Sequence, residues 1–188
     1  MNIGFALCGS FCTYAEIYPV MEELAKKHDI TPILSFAAAN TDTRFGKAKD
    51  IRERLMQICS KSPMTSLTDV EPIGPKRLFD VLVIAPCTGN TLAKLAHGIA
   101  DTPVTMAAKS HLRNGRPVLI AISTNDGLSA AAENIGKLLN RKNIYFVPFR
   151  QDDPFGKPYS LIAKFDQLPP ALRAATEGYQ VQPLLYCN

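Results

Sequence analysis

Four short stretches concentrate the residues able to do chemistry: Cys8-Gly9-Ser10-Phe11, the span from Ser35 to Arg44, the run Pro86 to Thr91, and Ser123-Thr124-Asn125-Asp126-Gly127. Each is rich in hydroxyl, amide or glycine residues, and each falls where an apolar run gives way to a helical pattern. Free backbone N–H groups and the helix dipole at such a junction favour an anion. Ser, Thr and Asn also cap helices for purely structural reasons. Four such loops together point further, to a phosphorylated ligand with a polar ring system.

The elements that must position these loops are legible as apolar runs. Ile3 to Leu7, Ile30 to Phe36, Val81 to Ala85, Val118 to Ile122 and Ile144 to Val147 read as strands. Uninterrupted apolar runs suit parallel strands buried on both faces. Between them, Tyr14, Ile17, Tyr18, Met21 and Leu24 recur at helical spacing, as do Ile51, Leu55, Ile58 and Cys59. Helices are also expected from about Thr91, over Val104 to Leu112, Gly127 to Leu139, Leu161 to Phe165 and Pro170 to Thr176. Residues 60–79 carry several Pro and Gly breaks and read as loop around one short strand near Thr65. Gln151 to Pro158 reads as a loop or lid. The alternation predicts one α/β domain over residues 1–188. Its form is a doubly wound parallel sheet in a Rossmann-like three-layer sandwich, with residues 177–188 as a loose tail. Ligands of such sheets bind beyond the carboxyl ends of the strands, where the four loops fall.

Composition narrows the classes. The chain has 188 residues, 46% of them hydrophobic, and a net charge of +4. There is no basic stripe of the kind that binds nucleic acid, and no run approaches the roughly 20 apolar residues that span a bilayer. The start of the chain runs directly into a strand and is too short for a signal peptide, so a cytoplasmic location is expected. The five cysteines, Cys8, Cys12, Cys59, Cys87 and Cys187, fit no paired metal spacing and read as reduced thiols. No metal site is expected. The first loop holds one glycine, Gly9, where a dinucleotide fingerprint needs three, and there is no P-loop.

The run from Asp80 to Asp101, DVLVIAPCTGNTLAKLAHGIAD, closely resembles the signature of the flavoprotein family that includes the flavin-containing cysteine decarboxylases. Pro86, Asn90, Thr91 and Lys94 match its Pro-x-x-x-Asn-Thr loop, and Gly9-Ser10 matches its first flavin loop. The resemblance implies flavin mononucleotide (FMN) held by Gly9, Ser10, Phe11, Ser35, Pro86, Thr88, Asn90, Thr91, Ser123 and Asn125. Ser10 and Thr91 would meet the phosphate or ribityl chain, and Asn90 and Asn125 the ring or a substrate. Ser35, Thr41 and Thr43 compete for a further phosphate role. The resemblance also implies a homo-oligomer, a trimer or dodecamer.

Two features depart from the decarboxylases. Their histidine before the signature strand would fall near Glu71 to Gly74, and none is there. Their later Pro-x-Met-Asn-x-x-Met motif is reduced to ISTNDGL at 122–128, keeping Asn125. The segments VEPIGP at 70–75, STNDG at 123–127 and NIYFVPFRQD at 143–152 instead resemble one component of a two-component family member that acts in spore formation. That resemblance implies oxidation of a small cyclic dicarboxylate together with a second, dehydrogenase-like component carrying NAD(P). Glu71 is then a candidate general base, and Arg44, Lys109 and Arg150 are candidates to hold carboxylates. Cys8, Cys12 and Cys87 read as packing residues, and His97 as structural.

Overall fold

The computed structural model describes residues 1–186; Cys187 and Asn188 lie outside them. In chain order the elements are β1 (Asn2–Leu7), α1 (Tyr14–Ala25), β2 (Asp29–Leu34), α2 (Phe36–Asn40), α3 (Ala48–Cys59), α4 (Leu67–Val70), β3 (Val81–Cys87), α5 (Gly89–His97), α6 (Pro103–Leu112), β4 (Val118–Thr124), α7 (Ala132–Leu139), β5 (Ile144–Phe146), β6 (Phe149–Asp153), β7 (Lys157–Ala163) and α8 (Leu168–Thr176). Among the described residues they form one seven-stranded sheet of order β2-β1-β3-β4-β7-β6, with β5 also pairing β4.

Strands β1 to β5 are parallel. Every residue of β3 is buried, as are Ile3 to Leu7 of β1 and Val118 to Ser123 of β4. Helices cover both faces. Leu7, Val83 and Ala121 pack beneath α1, α3 and α8 on one side. Ile84, Ile120 and Ile122 pack beneath α5, α6 and α7 on the other. The result is the expected three-layer α/β architecture. Strand order reverses between β1 and β3, which opens a crevice at their carboxyl ends.

The last third differs from the all-parallel expectation. Residues 151–158, read as a loop or lid, belong to a β-hairpin, and Leu161 to Phe165, read as a helix, is mostly strand β7. The hairpin pairs antiparallel within itself and with the end of β4, through Ser123 opposite Ile162 and Thr124 opposite Leu161. Asp153 closes its turn by accepting the Phe155 and Gly156 N–H groups at 3.2 and 2.9 Å. The sheet is therefore mixed, though mostly parallel. Short apolar runs do not separate helix from strand by periodicity alone, and here pairing with β4 decides.

Smaller differences follow the same logic. Strand β2 stops at Leu34 because Ser35 caps α2, its Oγ accepting the Ala38 N–H. The strand near Thr65 is one bridge between Met64 and Ile33, and α4 follows it behind a Ser66–Asp69 capping box. Turns occupy 125–131, so α7 begins at Ala132. The expected loose tail is docked as far as it is described. Gln180 bonds both the N–H and the carbonyl of Phe146 at 2.8 Å, and Leu185 bridges Phe149. Unmet backbone groups at the sheet edge provide the reason.

Candidate functional site

A cleft of about 840 Å³ opens at the carboxyl edge of the sheet. Its walls come from four places: Gly9 to Thr13 after β1, Thr88 to Asn90 after β3, Ser123 to Asp126 at the end of β4, and Asp152, Lys157 and Ser160 to Ile162 from the hairpin.

The walls are stitched together by side chains. Ser10 Oγ and Ser123 Oγ lie 2.6 Å apart, joining the first loop to β4. The Cys8 N–H donates to the Pro86 carbonyl at 3.2 Å, tying the end of β1 to β3. Tyr14 donates to the Cys8 carbonyl at 2.8 Å, which fixes the same corner from α1. Thr124 Oγ1 donates to the Asp126 carboxylate. A Cβ on Gly89 would meet Asp126 Oδ1 at 2.7 Å and Thr124 Oγ1 at 2.8 Å, so only glycine lets α5 start this close to the β4 loop.

Helix α5 points its amino end into the cleft. Its N-cap, Thr88, makes no side-chain capping bond. The first-turn N–H groups have no partner within the helix and face a ligand-sized space.

Of the expected flavin contacts, Gly9, Ser10, Phe11, Thr88, Asn90, Ser123 and Asn125 line this cleft. Three others are not in its lining. Ser35 spends its hydroxyl on the cap of α2. Pro86 is buried inside β3. Thr91 is 6% exposed and donates inward to Cys8 Sγ at 3.3 Å. Thr41 and Thr43 are also absent from the lining, although Phe45 beside them stands on the rim.

The expected carboxylate and base residues sit elsewhere. Glu71 is exposed on the 3-10 turn after α4 and does not line the cleft. Arg150 folds along β6 and donates to the Gln151 and Asp152 carbonyls. Arg44 stacks over the Phe45 ring at 4.8 Å. Lys109 lies on α6, at a separate pocket.

The cleft's charged lining is Glu16, Asp126, Asp152 and Lys157. Lys157 pairs with Asp152 at 2.8 Å, and this partner raises its pKa. Sequence reading missed the hairpin wall. The DDPFG turn at 152–156 between two strand-like runs was the available signal.

The cysteines divide. Burial pushes the Cys8 thiol up to about 11, and Cys87 well above its ordinary value. Both are neutral packing groups at pH 7, as their sequence setting indicated. Cys12 is exposed on the cleft wall, not packed. The 3-10 turn of Phe11 to Thr13 turns Thr13 inward and Cys12 outward. His97 stays on the surface of α5, with Nδ1 2.9 Å from the Ala93 carbonyl.

The fold is that of a doubly wound α/β protein with a polar cleft at its switch point and a helix amino end opening into it, an arrangement that suits a phosphorylated ligand. The chain belongs to the Flavoprotein family, whose model matches residues 1–168. It is 44% identical over all 188 residues to the B subunit of dipicolinate synthase from Bacillus subtilis, covering 94% of that protein. The crystal structure of the dipicolinate synthase B subunit from Bacillus halodurans superposes with a TM-score of 0.91 at 44% identity, covering 100% of this chain and 96% of that one. DmrB of Burkholderia xenovorans in complex with FMN shares the fold at 20% identity, with a TM-score of 0.70 and coverage of 92% and 93%.

Proposed function

We propose that this chain is the flavin-binding B subunit of a dipicolinate synthase, acting with the enzyme's other, dehydrogenase-like subunit in the cytoplasm of a sporulating mother cell. The observation that carries this reading is the 44% identity to such a protein over the entire chain. The cleft supports the cofactor part. Its volume suits a small ligand, and its open helix end suits a phosphate. Its Ser, Thr and Asn lining suits the edge of a polar ring. Bound there, FMN would supply two-electron redox chemistry.

In this reading dihydrodipicolinate loses a hydride and a proton to become the aromatic dipicolinate. FMN in the cleft, or NAD(P) on the dehydrogenase-like subunit, would supply the two-electron acceptor. The work of this chain is to orient and to exclude water. Ser10 and Thr88, with the first-turn N–H groups of α5, would hold the phosphate end, and Asn90 and Asn125 would meet the ring. The hairpin residues Leu161 and Ile162 supply the apolar part of the cleft wall. Homo-oligomerisation, as a trimer or dodecamer, belongs to the same proposal.

A second reading has one specific support. Among the described residues, the one cation in the cleft lining, Lys157, is already paired with Asp152. A cyclic dicarboxylate would then need cations from the dehydrogenase-like subunit, and this chain would shape the site without performing the oxidation.

The test is the visible spectrum of the purified chain after FMN addition and removal of excess. Retained yellow colour that is lost in Asn90→Ala supports the cofactor site. Bleaching of that flavin by dihydrodipicolinate, with or without the dehydrogenase-like subunit, separates the two readings. A colourless chain, both alone and in the complex, overturns the flavin role.

A further inference from the structure

The carboxyl end of α5 borders a second cavity, of about 410 Å³, at the end of the sheet opposite the cleft. The two cavities share no lining residue. Nine residues of helix, about 13 Å, separate them. The second cavity has an apolar part formed by Leu95, Ile99 and Leu112, and three cations, Lys109, Arg113 and Arg141. No Asp or Glu among the described residues lines it.

The cations are not consumed by ion pairs. Among the described residues, the side chains of Lys109 and Arg113 have no hydrogen-bond or ion-pair partner. Arg141 donates once, from Nη1 to the Leu95 carbonyl at 2.9 Å. The nearest acid in sequence, Asp101, is held by Lys94 at 2.7 Å. Lys109, Arg113 and Arg141 are all exposed, and the Arg113 guanidinium lies over Gly74, where a Cβ would meet its nitrogens at 2.6 and 2.7 Å.

These cations also offset the carboxyl ends of α5, α6 and α7, the last ending just before Arg141. Each helix end carries about half a negative charge, so three ends offset roughly one and a half of the three cations. About one and a half positive charges remain beside an apolar wall. An aromatic or cyclic dicarboxylate supplies two negative charges on a compact apolar body, and arginine suits its carboxylates in a two-bond fork.

We propose that this pocket is a second ligand site, for a small ring dicarboxylate. Substrate and product of the reaction proposed above belong to that class, and this identification of the natural ligand rests on that reading. The existence of the site does not.

Calorimetric titration of the full chain tests it, with benzene-1,3-dicarboxylate and pyridine-2,6-dicarboxylate as dianions and benzoate as monoanion. The expected result is one site for the dianions and at least about tenfold weaker benzoate binding. Arg113→Ala should weaken dianion binding about tenfold, and Lys109→Ala with Arg113→Ala should remove it. Both side chains are exposed and make no hydrogen bond or ion pair among the described residues, so both variants should stay folded, with melting temperature read as the control. Gly89→Ala, in the cleft, should leave dianion binding unchanged. No heat up to about 10 mM dianion overturns the proposal. So does binding that survives the double substitution, or binding that Gly89→Ala abolishes. FMN titration of the same proteins keeps the cofactor reading separate: dianion binding without FMN binding would sink that reading and leave this one standing.

Discussion

At its amino end α5 presents first-turn N–H groups and an uncapped Thr88 to a cleft whose lining carries Glu16, Asp126 and Asp152 against one paired lysine. At its carboxyl end the same helix meets Lys109, Arg113 and Arg141 around an apolar pocket without carboxylates among the described residues. In the cleft, attraction for a phosphate comes from backbone dipoles, which are fixed and need no side-chain charge. In the pocket, side-chain cations supply the field, and the helix ends oppose it. Under the proposed assignment, arginine and lysine are a poor guide to where the phosphorylated cofactor would sit. They are a better guide to where a carboxylate would sit.

The sharpest way to break this comparison is Gly89→Ala. Its new Cβ would push on Asp126 and Thr124 at the mouth of α5, and FMN affinity should fall about 100-fold, or roughly 2.7 kcal/mol. Fluorescence titration of FMN reads this, and an affinity within about threefold of the parent would show that the close approach does not serve the ligand.

Next in size is a pH effect on the helix layer that carries the pocket. His111 on α6 is 1% exposed, its Nε2 is 3.1 Å from the Pro117 carbonyl, and burial holds its pKa down to about 4. The unfolded chain takes up a proton near pH 6.5 and the folded chain does not. This contribution is intact above pH 6.5 and is lost as pH falls toward 4, about 2 kcal/mol of it by pH 5. Urea unfolding between about pH 8 and 5 should show it, and His111→Gln should flatten the slope. An equal slope in the variant would place the dependence elsewhere.

Thr102→Ala removes the hydroxyl that accepts the Thr105 N–H in the capping box of α6. It should lower stability by about 1 kcal/mol, read as a shift in melting temperature, with no change in FMN affinity. The smallest effect is expected at Thr91→Val. Its hydroxyl faces Cys8, so FMN affinity should change by less than about threefold. A larger loss would return Thr91 to the ligand contacts expected from the signature.

Much of the cleft is legible in its loops. Gly9, Ser10, Thr88, Asn90, Ser123 and Asn125 stand out in the sequence because hydroxyl, amide and glycine residues follow apolar strand runs, and these six line the cleft. Thr91 adjoins Asn90 in sequence but points the other way. Each helical residue turns by about 100°, so neighbours in the first turn face different directions. Ser35 has the right type and position, yet its oxygen is taken by the Ala38 N–H. Lys109, a candidate carboxylate ligand near the strand ends, instead lies in the other cavity, because α6 carries it to the opposite side of the fold.

The parallel core and the chemistry of the strand-end loops are written locally along the chain. Both rest on short-range signals: apolar runs long enough to be buried on both faces, and small polar residues where those runs stop. The closure of the cleft by residues 149–163 is settled only in three dimensions, since β7 becomes a strand by pairing with the end of β4. The same holds for the meeting of Lys109, Arg113 and Arg141, which come from two separate helical segments. Neither outcome leaves a local pattern, because each is set by which distant backbone or helix end the segment meets.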